Sequence, residues 1–156
     1  MIEIGSTAPD FHLVDSAREV KTLKDFKGRK TVLAFYPGAF TGVCEKEMCT
    51  FRDSMAELND LNASVVGISV DAPFANAAFA SRNALEFPLL SDYRREAVNA
   101  YGVALPDFAG LSGYTAAQRS VFILDADGVV RYKWIAENPG IEPNYDEVKA
   151  ELAKLA

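Results

Sequence analysis

Two cysteines, Cys44 and Cys49, are the residues of this 156-residue chain best suited to covalent chemistry. Cys44 follows the segment Tyr36-Pro37-Gly38-Ala39-Phe40-Thr41-Gly42-Val43, which leads from an apolar, β-rich stretch into a helical pattern, so its sulfur falls in a helix's first turn. Unpaired backbone N–H groups and the positive end of the helix dipole favour a thiolate at such a place, and thiols there ionise with pKa values between ~3.5 and ~7.5 instead of ~8.5. Ionisation alone is a limited advantage: a thiol of pKa ~8.5 is already about 3% ionised at neutral pH, so full ionisation multiplies the nucleophile only about 30-fold. When such a sulfur attacks an electrophile, negative charge grows on the departing atom, and hydrogen-bond donors aimed at the reacting atoms must supply most of the acceleration. Thr41, three residues before the cysteine, and Arg119, where a C-terminal strand begins, are the candidate donors. Pro37 has no N–H, ends its strand, and can shield the sulfur from water while fixing the loop.

Each residue also has a plainer reading. Cys44 lies on an apolar stripe and could be an inert small hydrophobe. Cys49 lies off that stripe and could be a tolerated flank residue. Thr41 could cap the helix, Arg119 could pair with any surface carboxylate, and Glu47 could merely complement the helix dipole. His12, the only histidine, falls in an early strand and reads as structural. Tyr132 and Trp134 alternate across a strand and read as packing.

The elements that must position these residues follow from hydrophobic periodicity. Residues 31–36 (TVLAFY) and 64–70 (SVVGISV) are apolar runs without alternation, as expected of central strands covered on both faces. Between them Cys44, Met48, Phe51, Met55 and Leu58 recur at 4-3-4-3 spacing, one face of a helix crossing between parallel strands. Residues 11–14 and 20–23 read as an N-terminal β-hairpin flanking the sheet. Helices are expected over 74–85, over 94–101 up to Gly102, and over 145–155. Residues 87–90 read as a short edge strand because Pro88 cannot donate in a ladder. Two strands around Asp125-Ala126-Asp127-Gly128 should form a hairpin, and 103–118 is the least regular stretch. A parallel β-α-β unit followed by an antiparallel β-β-α ending is the order of a thioredoxin-like α/β fold, a mixed sheet flanked by helices. A flavodoxin-like sheet is the alternative.

Composition narrows the partners. With 49% hydrophobic residues and no Pro/Gly-rich linker, residues 1–156 are expected to form a single domain. Sixteen basic against 22 acidic residues give a net charge of −6, so neither nucleic acid nor an anionic membrane is an expected partner. The opening MIEIGSTAPDF has neither a basic start nor an apolar run, which leads to a cytoplasmic expectation. Two cysteines in such a compartment read as free thiols with redox or metal chemistry.

Pro37, Thr41 and Cys44 match the P-x-x-x-T-x-x-C motif of peroxiredoxins, and Arg119 before Ser120-Val121-Phe122-Ile123 is similar to their active-site arginine. The segment CEKEMCTFRD resembles the PrxQ/BCP (bacterioferritin comigratory protein) subfamily, whereas Phe40-Thr41-Gly42-Val43 also resembles the E-type group. The resemblance implies a cofactor-free thiol peroxidase acting on hydrogen peroxide and small alkyl hydroperoxides. In it Cys44 would be peroxidatic and Cys49 resolving, joined transiently as an intramolecular disulfide. Thr41 and Arg119 would bind the peroxide, Pro37 would shield the sulfur, and Glu47 would orient Arg119. A dithiol protein of the thioredoxin or glutaredoxin type would return the electrons to a monomer or homodimer. Two rivals compete with it. A thiol–disulfide oxidoreductase on the same fold would normally carry Cys-x-x-Cys, and a metal- or copper-binding module would want more soft or imidazole ligands than one His and three Met provide.

Overall fold

The computed structural model describes residues 2–155. Nine strands occur among the described residues: β1 (His12–Val14), β2 (Val20–Thr22), β3 (Lys30–Phe35), β4 (Ala63–Ser69), β5 (Leu89–Ser91), β6 (Ala104–Leu105), β7 (Ala116–Ala117), β8 (Ser120–Leu124) and β9 (Val130–Ile135). Seven of them form one sheet in the order β2-β1-β5-β4-β3-β8-β9. The helices are α1 (Gly42–Asp53), α2 (Met55–Asp60), α3 (Pro73–Arg82), α4 (Glu96–Ala100) and α5 (Tyr145–Ala153). β3 runs parallel to β4 and antiparallel to β8, so the sheet is mixed as the thioredoxin-like order requires, and an all-parallel flavodoxin-like sheet does not fit.

All six residues of β3 are buried because the strand is covered on both sides. Val32, Ala34 and Tyr36 join Val121 and Ile123 beneath α1, α2, α3 and α5, while Leu33 and Phe35 join Val66, Ile68 and Phe122 beneath α4 and the N-terminal segment. This two-sided burial explains the unbroken apolar runs. Gly67, in β4, is needed for close approach: a Cβ there would stand 2.5 Å from Leu89, 3.3 Å from Tyr36 and 3.5 Å from Met48 of α1.

Three expectations are corrected. The helix expected from Cys44 to Leu58 is two helices, because Ser54 departs from helical geometry at φ −94°, ψ 0° and its N–H is shared between Thr50 O and Phe51 O. The strand at 87–90 is β5, shifted to start after Pro88, and it is interior: β4 pairs on one side, and β1 pairs through Val14 and Ser91 on the other. Pro88 stays outside the ladder and only its carbonyl takes part, accepting from Gly67 N–H at 3.0 Å. Finally, the irregular stretch 103–118 holds a small antiparallel pair, β6 with β7. The hairpins β1–β2 and β8–β9 and helix α5 lie where the pattern placed them, and Gly102 at φ +70° closes the turn after α4.

Candidate active site

Cys44 is the third residue of α1, in the first turn, where helix geometry leaves N–H groups without intrahelical partners. Thr41 occupies the N-cap position, and its carbonyl accepts the first helical bond from Glu45 N–H at 2.9 Å. The side-chain cap envisaged for it is absent: the Thr41 hydroxyl donates back to Gly38 O at 2.8 Å. The hydroxyl proton is thus engaged within the loop, and the oxygen lone pairs are what it presents elsewhere. The loop itself is pinned from below, since Asp71, just beyond the C-terminal end of β4, accepts from Ala39 N–H and from Ser69 Oγ, each at 2.8 Å. Phe40 adopts a left-handed backbone (φ 64°), costly for an aromatic residue, and packs edge-on against Phe79 of α3 with ring centroids 5.3 Å apart.

Sheet register delivers Arg119. Phe35 of β3 pairs with Ser120 of β8, so Arg119 lies beside the point where the chain leaves β3 for Pro37. In a strand, residues 119, 121 and 123 share a face, and Val121 and Ile123 pack beneath α1, so Arg119 points to the cysteine helix. Its Nη2 donates to Cys44 Sγ at 3.2 Å, its Nη1 to Glu47 Oε1 at 2.7 Å, and Nε and Nη2 both donate to Pro139 O at 3.1 and 2.9 Å. These bonds use four of a guanidinium's five N–H donors. Among the described residues the fifth, on Nη1, has no protein partner. Cys44 and Glu47 are fully buried, and Arg119 is 1% exposed.

Electrostatics follow from that burial. Desolvation opposes the charge of Arg119, but Glu47 and Cys44 together hold its pKa above the usual arginine value. Burial pushes the Glu47 carboxyl up to about 7 against the opposing pull of Arg119, and its second oxygen, Oε2, has no protein partner among the described residues.

A cleft of about 240 Å³ opens above this cluster, lined by Pro37, Thr41, Gly42, Val43, Phe108, Arg119, Pro139 and Gly140. A larger hollow of about 520 Å³ beside Arg95, Asn99 and Thr115 has no residue of the cysteine cluster in its lining, whereas Arg119 lines the smaller cleft and reaches the buried Cys44 sulfur at 3.2 Å, so chemistry and not size selects the site. The structure therefore brings together Pro37, Thr41, Cys44, Glu47 and Arg119. Cys49 is apart from them: it is half-buried and faces Asn83 at the end of α3. Pro139, Phe108 and Asp71 were not foreseen. Pro139 acts through a backbone carbonyl and carries no side-chain signal, whereas Asp71 could have been found from its place beyond the end of a parallel strand, where such sheets build sites.

Residues 4–133 match the profile described as the AhpC/TSA family. The chain belongs to the AhpC/TSA family. It is 36% identical over 135 residues to alkyl hydroperoxide reductase E of Mycobacterium tuberculosis, an alignment covering 85% of this chain and 84% of that one. It is 37% identical over 133 residues to the putative peroxiredoxin bcp of Coxiella burnetii, covering 85% and 88%. The crystal structure of peroxidoxin BcpB from Mycobacterium tuberculosis superposes with a TM-score of 0.88 at 32% identity, covering 100% of this chain and 99% of that one. The two subfamily resemblances are thus both represented among the relatives, and the chain is a cysteine-based peroxidase. The oxidoreductase and copper-module rivals are not favoured, and no group of three or more metal-ligating side chains occurs among the described residues. No helix among them is long and apolar enough to cross a membrane.

Proposed function

We propose that Cys44 is the peroxidatic sulfur and Cys49 the resolving one, in a cofactor-free cycle that reduces hydrogen peroxide and small alkyl hydroperoxides. The observation that carries this reading is the guanidinium of Arg119 held 3.2 Å from the Cys44 sulfur by a buried carboxylate and a carbonyl, on the floor of a cleft edged by Pro37 and Thr41.

The Cys44 thiolate attacks the terminal oxygen of the hydroperoxide. An S–O bond forms, the O–O bond breaks, and the sulfur is oxidised to a sulfenic acid while the peroxide is reduced. The terminal oxygen keeps its own proton, and the expelled alkoxide or hydroxide takes one from solvent and leaves as alcohol or water. Because the Thr41 proton is given to Gly38 O, Thr41 acts as acceptor for the hydroperoxide O–H and fixes the terminal oxygen in line with the sulfur. Arg119 supplies its remaining Nη1–H donor to the oxygen that gains charge, Glu47 holds it in place, and Pro37 keeps bulk water from the sulfur. These groups are positioned before reaction begins, which is the condition for electrostatic stabilisation of a transition state.

Cys49 then attacks the Cys44 sulfur. The S–S bond forms, the S–O bond breaks, and water departs with the proton from the Cys49 thiol. A dithiol protein of thioredoxin or glutaredoxin type reduces the disulfide in a cytoplasmic setting, acting on a monomer or homodimer. Cys44→Ser tests the assignment: serine is nearly isosteric but un-ionised, so peroxide consumption is expected to vanish with the fold intact by circular dichroism. Retention of more than a few per cent of activity would sink it.

A further inference from the structure

The Cys49 thiol donates to Oδ1 of Asn83 at 3.4 Å. Asn83 is the C-cap of α3, and the same side chain donates from Nδ2 to Phe79 O at 3.0 Å and to Glu45 Oε1 at 3.4 Å, while its backbone carbonyl accepts from Arg52 Nη1 at 2.6 Å. One amide from α3 thus touches α1 at two places, Glu45 immediately after Cys44, and Cys49 itself.

Resting on the reading of Cys49 as the resolving thiol, we propose that Asn83 is a positioning residue: a latch that holds Cys49 and the first turns of α1 in the wound, reduced form, and so sets how fast Cys49 reaches oxidised Cys44. Both cysteines lie within the unbroken helix α1. Five helical residues separate Cα atoms by roughly 8.6 Å and turn the side chains about 140° apart, whereas a disulfide needs a Cα separation below about 7 Å. The helix must unwind, and contacts tying its start to neighbouring elements must break. Lys46–Glu142 and Glu45–Arg82 are ion pairs whose basic partners are 71% and 70% exposed, and such pairs restrain little. Arg119 and Glu47 hold the peroxide-reacting end. Among the described residues, Asn83 is the side chain that holds the resolving thiol and the peroxidatic turn together. Both of its bonds to α1 are long, and a thiol is a weak donor, so the latch is weak enough to open within a catalytic cycle. A tighter one would prolong the sulfenic acid and leave it open to further oxidation to the sulfinic acid, which consumes a second hydroperoxide.

The test is Asn83→Ala in the full chain, which keeps the backbone carbonyl for Arg52. Rapid-quench mass spectrometry after mixing the reduced protein with hydrogen peroxide separates sulfenic acid formation from disulfide formation. The first step is expected to stay within about two-fold of wild type, the second to accelerate about five-fold, equivalent to about 1 kcal/mol, and sulfinic acid at excess peroxide to fall accordingly. Amide hydrogen exchange over 45–49 should also quicken, with 73–79 unchanged. Glu45→Ala removes the other end of the latch while leaving α3 capped, and should accelerate disulfide formation about two-fold; it carries the test if Asn83→Ala does not fold. Unchanged or slower disulfide formation, with normal sulfenic acid formation, overturns the latch. If the wild type itself forms no Cys44–Cys49 disulfide, it is the resolving role of Cys49 that fails, and the latch with it.

Discussion

Replacing Arg119 separates two ways in which a cation can accelerate a thiol. Its guanidinium makes four hydrogen bonds, one of them to the Cys44 sulfur. Arg119→Ala removes them all together with the donor available to the expelled oxygen. Losing every advantage of ionisation costs at most about 30-fold, whereas losing a preorganised transition-state donor costs about 10²- to 10³-fold. The second-order rate with hydrogen peroxide should therefore fall by about 10³-fold or more, of which thiolate loss explains only the smaller part. Arg119→Lys keeps the charge but replaces a planar fork by a point charge that cannot meet Pro139 O, Glu47 and the sulfur together, so a loss of about 10²-fold is expected. Stopped-flow fluorescence of Trp134, the single tryptophan, gives the peroxide rate, and ultraviolet thiolate absorbance across pH gives the ionised fraction. Rates per thiolate that coincide in wild type and Arg119→Ala would refute the role assigned to Arg119.

Cys49→Ser should consume one equivalent of peroxide at the wild-type rate and stop as a sulfenic acid trapped by dimedone, failing only in turnover with a disulfide reductase; continued turnover with a dithiol protein would remove Cys49 from the cycle. Glu47 predicts a pH dependence of stability. Its pKa rises from 4.5 to about 7 on folding, so across that window the native state holds a proton the unfolded chain has released, and stability falls as pH rises through it. Glu47→Gln should abolish that component, at most about 3 kcal/mol, making the difference between variant and wild type in denaturant melts shift in the variant's favour from pH ~5 to ~8. A difference constant with pH would show that Glu47 stays ionised throughout.

Much of the site was legible because it sits at junctions that sequence marks strongly. An apolar β run, a proline, a threonine and a cysteine opening an amphipathic pattern describe a strand-to-helix turn, and Pro37, Thr41 and Cys44 take their places from local geometry alone. Arg119 lies 75 residues from Cys44, and no local rule could bring them together. The pairing of β3 with β8 does so, and the family resemblance anticipated it. What the residues concealed is of two kinds. Pro139 O and the N–H of Ala39 are backbone groups, whose partners depend on where loops fall. The interior position of β5 and the break at Ser54 reflect tertiary packing, which overrides local signals: Pro88 was read as marking an edge, yet the strand begins just past it. The hydroxyl of Thr41 reads from the sequence as a donor to the substrate, with a helix cap as the plainer alternative, and it does neither here but donates to Gly38 O, because its own loop offers a nearer acceptor.

The central claim is that the sulfur of Cys44 takes up the peroxide oxygen and passes the oxidation to Cys49. Its most direct test is one turnover: reduced wild-type protein mixed with one equivalent of hydrogen peroxide, with intact mass and non-reducing peptide mapping after acid quench. The account predicts a product lighter by two hydrogens with Cys44 and Cys49 in one linked peptide, and none in Cys44→Ser. A product in which Cys44 remains a free thiol while peroxide has been consumed would contradict it.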